Sequence, residues 1–250
     1  MKSLSRLTLT VLAGILPALG QAQIRAIAPV TAPILPHVLI APSLGLNPAS
    51  SLDSAPLLEV APLRLAFEGP PGSGKSTHGK RLAAESGLTH IITSDLLREY
   101  AKTDPSVLEK MKRGELVDPE LVIALVKERL SRKDVQRGFI IDGFPRKLAE
   151  AQALEKMGPE IGIDAVIFLD VPDAELFKRV AARGRVDDDE AVFKNRLEAY
   201  RRETLPAIEH LARRVPLLSP DAASADIDTN YAHVRSALEE FLRNRNSPKS

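Results

Sequence analysis

The sequence predicts an α/β domain in which a parallel sheet of about five strands is covered by helices on both faces. From Leu63 onward, short apolar runs alternate with amphipathic segments of helical period, and this alternation is typical of strand–helix–strand units. A glycine-rich turn and a helical segment follow the first apolar run. In such sheets ligands bind at the carboxyl ends of the strands, and we expect the functional site there.

The elements can be assigned in chain order. We predict strands at 63–67, at a run ending with Ile91 and Ile92, and at 139–142, 165–170 and 215–218. A helix over 76–86 should end near Gly87. Asp118-Pro119-Glu120 has the pattern of a helix start, with an N-cap, a first-turn proline and an acid favoured by the helix dipole. A long helix carries Phe193, Leu197 and Tyr200 on one stripe, and the last helix covers 231–242.

The N-terminal region has a different texture. Residues 1–22 combine a basic start, an apolar run over 7–19 and small residues at Gly20 and Ala22, which is typical of a secretory signal peptide. The absence of acids before Asp53 fits an organellar transit peptide as well, and an untargeted cytoplasmic tail is the third reading. The run is short and contains Pro17, so we expect no stable membrane span.

Residues 23–62 are rich in proline and alanine, and we interpret them as a disordered linker. The domain would then cover 63–243, and residues 244–250 would form a tail.

Composition excludes several classes of function. The chain of 250 residues has a formal net charge of +1 and 4% aromatic residues, so we expect no nucleic-acid partner. We also expect a monomer. It has no cysteine, which excludes disulfides, thiol catalysis and cysteine-based zinc sites.

The glycine-rich turn matches the phosphate-binding P-loop pattern. Its glycines allow backbone N–H groups to close on phosphate oxygens at a helix N-terminus. Lys75 is placed to reach the outer phosphates, and Ser76 to help hold magnesium. The predicted ATP-binding residues of this segment are Gly69, Pro70, Gly72, Ser73, Gly74, Lys75, Ser76 and Thr77.

Three further motifs follow in order: Thr93-Ser94-Asp95-Leu96-Leu97-Arg98, Asp142-Gly143-Phe144-Pro145-Arg146 and Gly184-Arg185-Val186-Asp187-Asp188. With the P-loop, they make residues 63–242 resemble the adenylate kinases and, more broadly, the nucleoside monophosphate kinases. The resemblance implies ATP and a nucleoside monophosphate as substrates and Mg²⁺ as cofactor.

The resemblance assigns a monophosphate site. Arg98 and Arg146 would hold the acceptor phosphate beside Gly143, because arginine offers a permanently charged fork to phosphate oxygens. Thr93 and Val117 would line the pocket for the base.

Asp142 ends a predicted strand and would orient magnesium, directly or through water.

The resemblance also assigns a short lid. Three arginines match those that close over the transferring phosphoryl group, where charge develops: Arg179, Arg185 and Arg196. Arg179 would also contact ATP, and Arg185 and Arg196 would also contact the monophosphate. Asp187 and Asp188 match lid acids, although acids also favour a helix start. The segment is too short for the long lid that can bind zinc, so we expect no zinc.

Glu150 departs from the family pattern at the monophosphate site. The family places a glutamine there, and that glutamine reads the acceptor adenine. A glutamine offers a donor and an acceptor, whereas an ionised glutamate offers acceptors only. Three outcomes are open: weak AMP binding, acceptance of GMP, or a Glu150 side chain that turns away from the base.

The expected reaction is reversible, Mg²⁺-dependent phosphoryl transfer from ATP to AMP, catalysed with Lys75, Arg146, Arg179, Arg185 and Arg196. A related kinase with another acceptor base is the alternative. A P-loop kinase for a small alcohol and a non-catalytic nucleotide-binding protein are further alternatives, which the four motifs disfavour.

Overall fold

The protein is described by a computed structural model that covers residues 62–157, 162–183 and 189–246. The predicted signal-like segment lies outside these ranges, as do the linker up to residue 61, most of the short lid at 184–188, and the residues from 247 onward.

A five-stranded parallel sheet forms the centre of the described domain, as the sequence predicts. Its strands are β1 (Leu63–Glu68), β2 (Thr89–Ile92), β3 (Gly138–Asp142), β4 (Ala165–Phe168) and β5 (Leu217–Leu218). They lie in the order β2-β3-β1-β4-β5, and every neighbouring pair is parallel. The chain passes to the β3 side of β1 first and to the β4 side afterwards, so the end of β1 is the point where the strand order reverses. Ligands bind at such points in open α/β sheets.

Helices connect the strands. They are α1 (Lys75–Ser86), α2 (Thr93–Tyr100), α3 (Pro105–Lys112), α4 (Pro119–Leu130), α5 (Leu148–Lys156), α6 (Asp173–Arg183), α7 (Glu190–Ala199), α8 (Leu205–Ala212) and α9 (Ile227–Asn246). A short 3₁₀ turn, Lys133–Val135, precedes β3, and a π-helical turn, Tyr200–Thr204, joins α7 to α8. The predicted apolar stripe is confirmed, because Phe193, Leu197 and Tyr200 are all buried.

The central strands are buried on both faces. Leu65, Ala66 and Phe67 of β1 and Ile140 and Ile141 of β3 have essentially no exposed surface. Continuous apolar runs of this kind are expected when helices cover both faces of a parallel sheet. The helix after β1 ends where the sequence predicts, because Gly87 takes a left-handed conformation and donates its N–H to the carbonyl of Ala83.

Three sequence predictions need correction. The strand expected over 165–170 ends at Phe168, and Asp170 forms only an isolated parallel bridge with Asp221. The last strand was expected over 215–218, but the regular ladder includes only Leu217 and Leu218. Pro216 accepts a hydrogen bond from the N–H of Val166 but has no N–H to return, so regular pairing starts one residue later. Asp118 does occupy the N-cap of α4, but its carboxylate pairs with Lys110 at 2.7 Å and makes no side-chain capping bond.

The described part of the chain contains no helix that is both long and apolar enough to cross a membrane.

Candidate active site

The P-loop leaves β1 at the centre of the sheet. Gly69 has a φ of 145°, and a Cβ added there would lie 2.6 Å from the carbonyl oxygen of Leu169, so a side chain does not fit. Gly74 has a φ of 96° and begins α1, with the N–H groups of Thr77 and His78 donating to its carbonyl. The helix α1 thus begins directly after the turn, and the backbone N–H groups and helix dipole at its N-terminus favour anions.

Lys75 folds back over the loop that precedes it. Its Nζ donates to the carbonyl of Gly69 at 2.6 Å and to that of Pro70 at 2.9 Å. The ammonium group therefore lies at the mouth of the P-loop, where predicted phosphate oxygens would replace these carbonyl acceptors.

Ser76, in the first turn of α1, and Asp142, at the end of β3, lie in contact. The Oγ of Ser76 donates to Oδ2 of Asp142 at 2.5 Å, and Nε2 of His90 on β2 lies 3.8 Å from the same oxygen. Burial lowers the pKa of His90 more than Asp142 raises it, so the imidazole is neutral at neutral pH. A hydroxyl and a carboxylate side by side are oxygen ligands that suit Mg²⁺.

Arg146 lies in the loop that follows β3. Its Nε donates to the carbonyl of Gly143 at 2.9 Å. Gly143 has a φ of 73°, and a Cβ added there would lie 2.5 Å from a terminal nitrogen of the Arg146 guanidinium. The glycine therefore leaves the space that this guanidinium occupies.

The structure places Thr93 and Val117 in buried positions, consistent with a pocket for a base. Thr93 is 3% exposed, and its Oγ1 has no hydrogen-bond partner within the described ranges. Arg98 differs, because it lies at the exposed end of α2, where its guanidinium contacts Asp95 at 2.5 Å and Ser94 at 3.2 Å. Arg98 is thus engaged with its own helix.

Arg179 joins three parts of the site. Its guanidinium donates to the carbonyls of Ala222 and Ser224 at 2.8 and 2.7 Å, lies 3.4 Å from the carbonyl of Ser73 in the P-loop, and pairs with Glu175 on α6. This position beside the P-loop agrees with the predicted contact to ATP.

Arg196 contacts the helix α3 in this structure. Its guanidinium lies 3.4 Å from the carbonyl of Met111, at the end of α3. Arg185, Asp187 and Asp188 lie outside the described residues, so the predicted lid remains a prediction. Asp189, the next acid, caps α7 by accepting from the N–H groups of Ala191 and Val192.

Comparisons with known proteins point to one family. The adenylate kinase family model matches residues 67–215. An adenylate kinase of Synechococcus sp. (strain WH7803) is 44% identical over 165 residues, which are 64% of this chain and 90% of that protein. An adenylate kinase of Prochlorococcus marinus (strain MIT 9313) is 44% identical over 181 residues, 70% of this chain and 98% of that protein. One of Mycobacterium sp. (strain MCS) is 38% identical over 182 residues, 70% and 99% respectively.

The chain belongs to the adenylate kinase family. The family resemblance, the α/β fold and the assignment as a phosphotransferase are thereby confirmed.

Glu150 departs from the family pattern, and the structure gives its carboxylate a backbone partner. The residue is 2% exposed, and its Oε2 accepts a hydrogen bond of 2.6 Å from the N–H of Arg146. Burial raises the pKa of this carboxyl, although the backbone bond and the Arg146 charge oppose the shift. One oxygen of the Glu150 carboxylate is therefore engaged by the backbone, and the three outcomes for the acceptor base stay predictions.

The sequence reasoning missed Glu68, a buried acid directly before the P-loop. It ends β1, is 1% exposed, and its Oε1 has no hydrogen-bond partner in the part of the chain that the structure describes. Burial raises the pKa of Glu68 to about 8, against the charges of Lys75 and Arg146. The signal was visible as the one acid in the apolar run that leads into Gly69.

Thr204 was missed as well. It is 2% exposed, and its Oγ1 donates to the carbonyl of Arg146 at 3.1 Å. The two residues are 58 positions apart in the chain, and no sequence pattern connects them.

Proposed function

We propose that the protein catalyses reversible, Mg²⁺-dependent phosphoryl transfer from ATP to AMP, giving two ADP. The observation that carries this proposal is the convergence of Lys75, on the P-loop after β1, and Arg146, on the loop after the neighbouring strand β3. Because β1 and β3 are parallel neighbours, both loops leave the same edge of the sheet. There the Lys75 ammonium lies against the Gly69 carbonyl, and the Arg146 guanidinium lies against the Gly143 carbonyl. The likeness to curated adenylate kinases supports ATP and AMP as the two nucleotides.

The residues divide between the two substrates. The P-loop N–H groups and Lys75 would bind the ATP phosphates, and Arg179 would extend this side of the site through its contact with the Ser73 carbonyl. Arg146 and Arg98 would hold the phosphate of AMP, with Thr93 and Val117 next to its base. The unpartnered Oγ1 of Thr93 supports this pocket, because a buried hydroxyl is costly unless a ligand or water satisfies it.

The reaction is a direct displacement. A phosphate oxygen of AMP forms the new bond to the γ-phosphorus of ATP, and the bond from that phosphorus to the bridging β–γ oxygen breaks, so ADP leaves with the electron pair. The chain supplies position and fixed positive charge, which are the main contributions in phosphoryl transfer.

Ser76 and Asp142 fit magnesium. They would hold the ion directly or through water, and it would neutralise charge on the β- and γ-phosphate oxygens. Within the described ranges no group of three or more His, Cys, Asp or Glu residues forms an all-protein metal site, and Mg²⁺ bound with ATP needs few protein ligands.

A coupled assay with ATP and a panel of nucleoside monophosphates tests the proposal. We expect AMP to have the highest kcat/KM, turnover to require Mg²⁺, and Lys75→Met to reduce kcat by at least about 10²–10³-fold, because a fixed donor to the developing charge is lost. Lys102→Met, at a lysine that is 70% exposed on the surface, is the matched control and should retain activity. Lack of turnover with every monophosphate, or a clear preference for GMP, would contradict the proposal.

A further inference from the structure

The peptide backbone of Arg146 is held at both ends by buried side chains. Glu150 accepts a hydrogen bond from its N–H at 2.6 Å, and Thr204 donates one to its carbonyl at 3.1 Å. Both side chains belong to residues that are 2% exposed. The guanidinium adds a third contact, to the carbonyl of Gly143.

These contacts come from two separate parts of the chain. Glu150 lies in the first turn of α5, directly after the Arg146 loop. Thr204 ends the π-helical turn Tyr200–Thr204, beyond the lid and α7, and α8, which follows it, packs against α5. Single π-helical turns within helices occur frequently at functional sites. This one brings the Thr204 hydroxyl, which follows the lid segment in the sequence, to the backbone of Arg146.

We propose that Glu150 and Thr204 are positioning residues that together hold the Arg146 peptide, and with it the guanidinium, in place for the acceptor phosphate. We call the two side chains the Arg146 clamp. The proposal rests on the proposed function and deepens it, because it gives Glu150 a role in binding the phosphate of the acceptor in place of a role in reading its base.

The physical argument is preorganisation. An arginine on a loop has to be fixed before it can present its guanidinium to a phosphate, and a misplacement of about 1 Å can cost about 10²-fold in rate. In this structure buried hydrogen bonds fix the arginine. Losing one partner of such a bond leaves the other buried polar group unsatisfied, at a cost of about 1–3 kcal/mol.

The clamp predicts an effect that is independent of the base. Because both residues act through Arg146, and Arg146 through the phosphate, weakening the clamp should reduce the affinities for AMP and GMP by the same factor. A residue that reads the base would change their ratio. The two roles of Glu150 can therefore be separated by experiment.

The first variant is Thr204→Val, which keeps the branched shape and removes the hydroxyl. We expect the KM for AMP to rise about 10-fold or more and the KM for ATP to stay within about 2-fold, by the misplacement argument. Thr204→Ser keeps the donor and should recover most of the AMP affinity. Thr103→Val is the matched control, because the Thr103 hydroxyl also donates to a backbone carbonyl but does so on the exposed surface.

The second variant is Glu150→Leu, compared with Glu150→Gln. Glutamine can still accept the hydrogen bond from Arg146, so we expect Glu150→Gln to retain activity with both acceptors far better than Glu150→Leu. Glu150→Leu should lower kcat/KM for AMP and for GMP by the same factor, so that their ratio stays within about 2-fold. The double variant Thr204→Val/Glu150→Leu should lose less than the product of the two single losses, because both act on one peptide group.

The outcomes are distinct. A wild-type protein that phosphorylates no monophosphate contradicts the proposed function. An active wild type in which Thr204→Val raises the two KM values equally, or leaves both unchanged, overturns the clamp and leaves the function standing. A shift of the AMP to GMP ratio in Glu150→Leu also overturns it, in favour of base reading by Glu150. If Thr204→Val does not fold by circular dichroism, the Glu150 pair decides between these outcomes.

Discussion

Arg146 and Arg98, the two arginines predicted for the acceptor phosphate, are held in opposite ways. Arg146 is partly buried, its backbone is fixed by Glu150 and Thr204, and its guanidinium rests on the Gly143 carbonyl. Arg98 has a 48% exposed side chain and contacts Asp95, three residues earlier on the same helix. The first is preorganised by the fold, whereas the second, in its predicted role, would exchange a local partner for the substrate. An exposed ion pair of this kind is worth about 0–1 kcal/mol, so the exchange costs little.

The largest effect should come from Arg146 itself. We expect Arg146→Met to lower kcat/KM for AMP by about 10³-fold, because a preorganised donor to the transferring charge is lost. Arg146→Lys should restore little, since an ammonium cannot reproduce the planar fork. Steady-state kinetics with both substrates measures this. A loss under about 10-fold would remove Arg146 from the centre of the site.

The next effect concerns the space beside Arg146. Gly143→Ala places a Cβ 2.5 Å from the guanidinium at a φ of 73°, and we expect the KM for AMP to rise about 10-fold from the resulting displacement.

Gly87→Ala is the control for Gly143→Ala, because its φ of 70° gives the same backbone strain and an added Cβ there meets nothing within 4 Å. It should cost stability of about 1 kcal/mol and leave the KM for AMP unchanged. If Gly143→Ala and Gly87→Ala have equal KM values for AMP, binding of AMP does not depend on the position of the Arg146 guanidinium beside Gly143.

Arg98→Met should have a smaller effect than Arg146→Met. We expect kcat/KM for AMP to fall about 10-fold, because an exposed arginine contributes less to a phosphate contact than a fixed one. Arg132→Met, at another exposed arginine that pairs with an acid on its own chain segment, should have no effect on kinetics. If the Arg98 and Arg146 variants lose activity equally, the contrast between the two residues has no functional meaning.

The smallest effect tests the local partner of Arg98. Asp95→Asn weakens the pair at 2.5 Å and should lower the KM for AMP by up to about 3-fold, the range expected for an exposed ion pair. A rise in KM would indicate that Asp95 orients Arg98 and does not compete with the phosphate. Titration of AMP by calorimetry gives the same comparison without turnover.

Local patterns predicted the elements that carry the P-loop and Arg146. The apolar runs of β1 and β3 and the glycines of the loop are sufficient for this, because each reports a local requirement of the backbone. The length of β5 was overestimated, since apolar content does not reveal that Pro216 cannot donate to the ladder.

The partners of Arg146 were beyond sequence reasoning for a different reason. The clamp residue Thr204 reaches Arg146 through tertiary packing across 58 positions, and Glu150 resembles an ordinary first-turn acid of a helix. Their roles depend on which backbone group lies opposite, and a single sequence does not contain that information.

Folding of this protein is coupled to the uptake of a proton by the carboxyl of Glu68. Its pKa is about 8 in the folded protein, against an ordinary value of 4.5. Between these values the folded chain keeps a proton that the unfolded chain releases. The associated stability is fully present below the unfolded value and is lost as the pH rises through the folded one.

Glu68→Gln abolishes this dependence, so its stability relative to wild type should increase between about pH 6 and about pH 9 in denaturant unfolding experiments. Glu99→Gln, at a carboxylate with 72% of its side chain exposed, should show a much smaller change. If the difference in unfolding free energy between Glu68→Gln and wild type is the same at both pH values, the pKa of Glu68 does not change on folding and this prediction is wrong. Alkaline solution thus acts on the strand that leads into the P-loop, and the protein should unfold more easily there than at neutral pH.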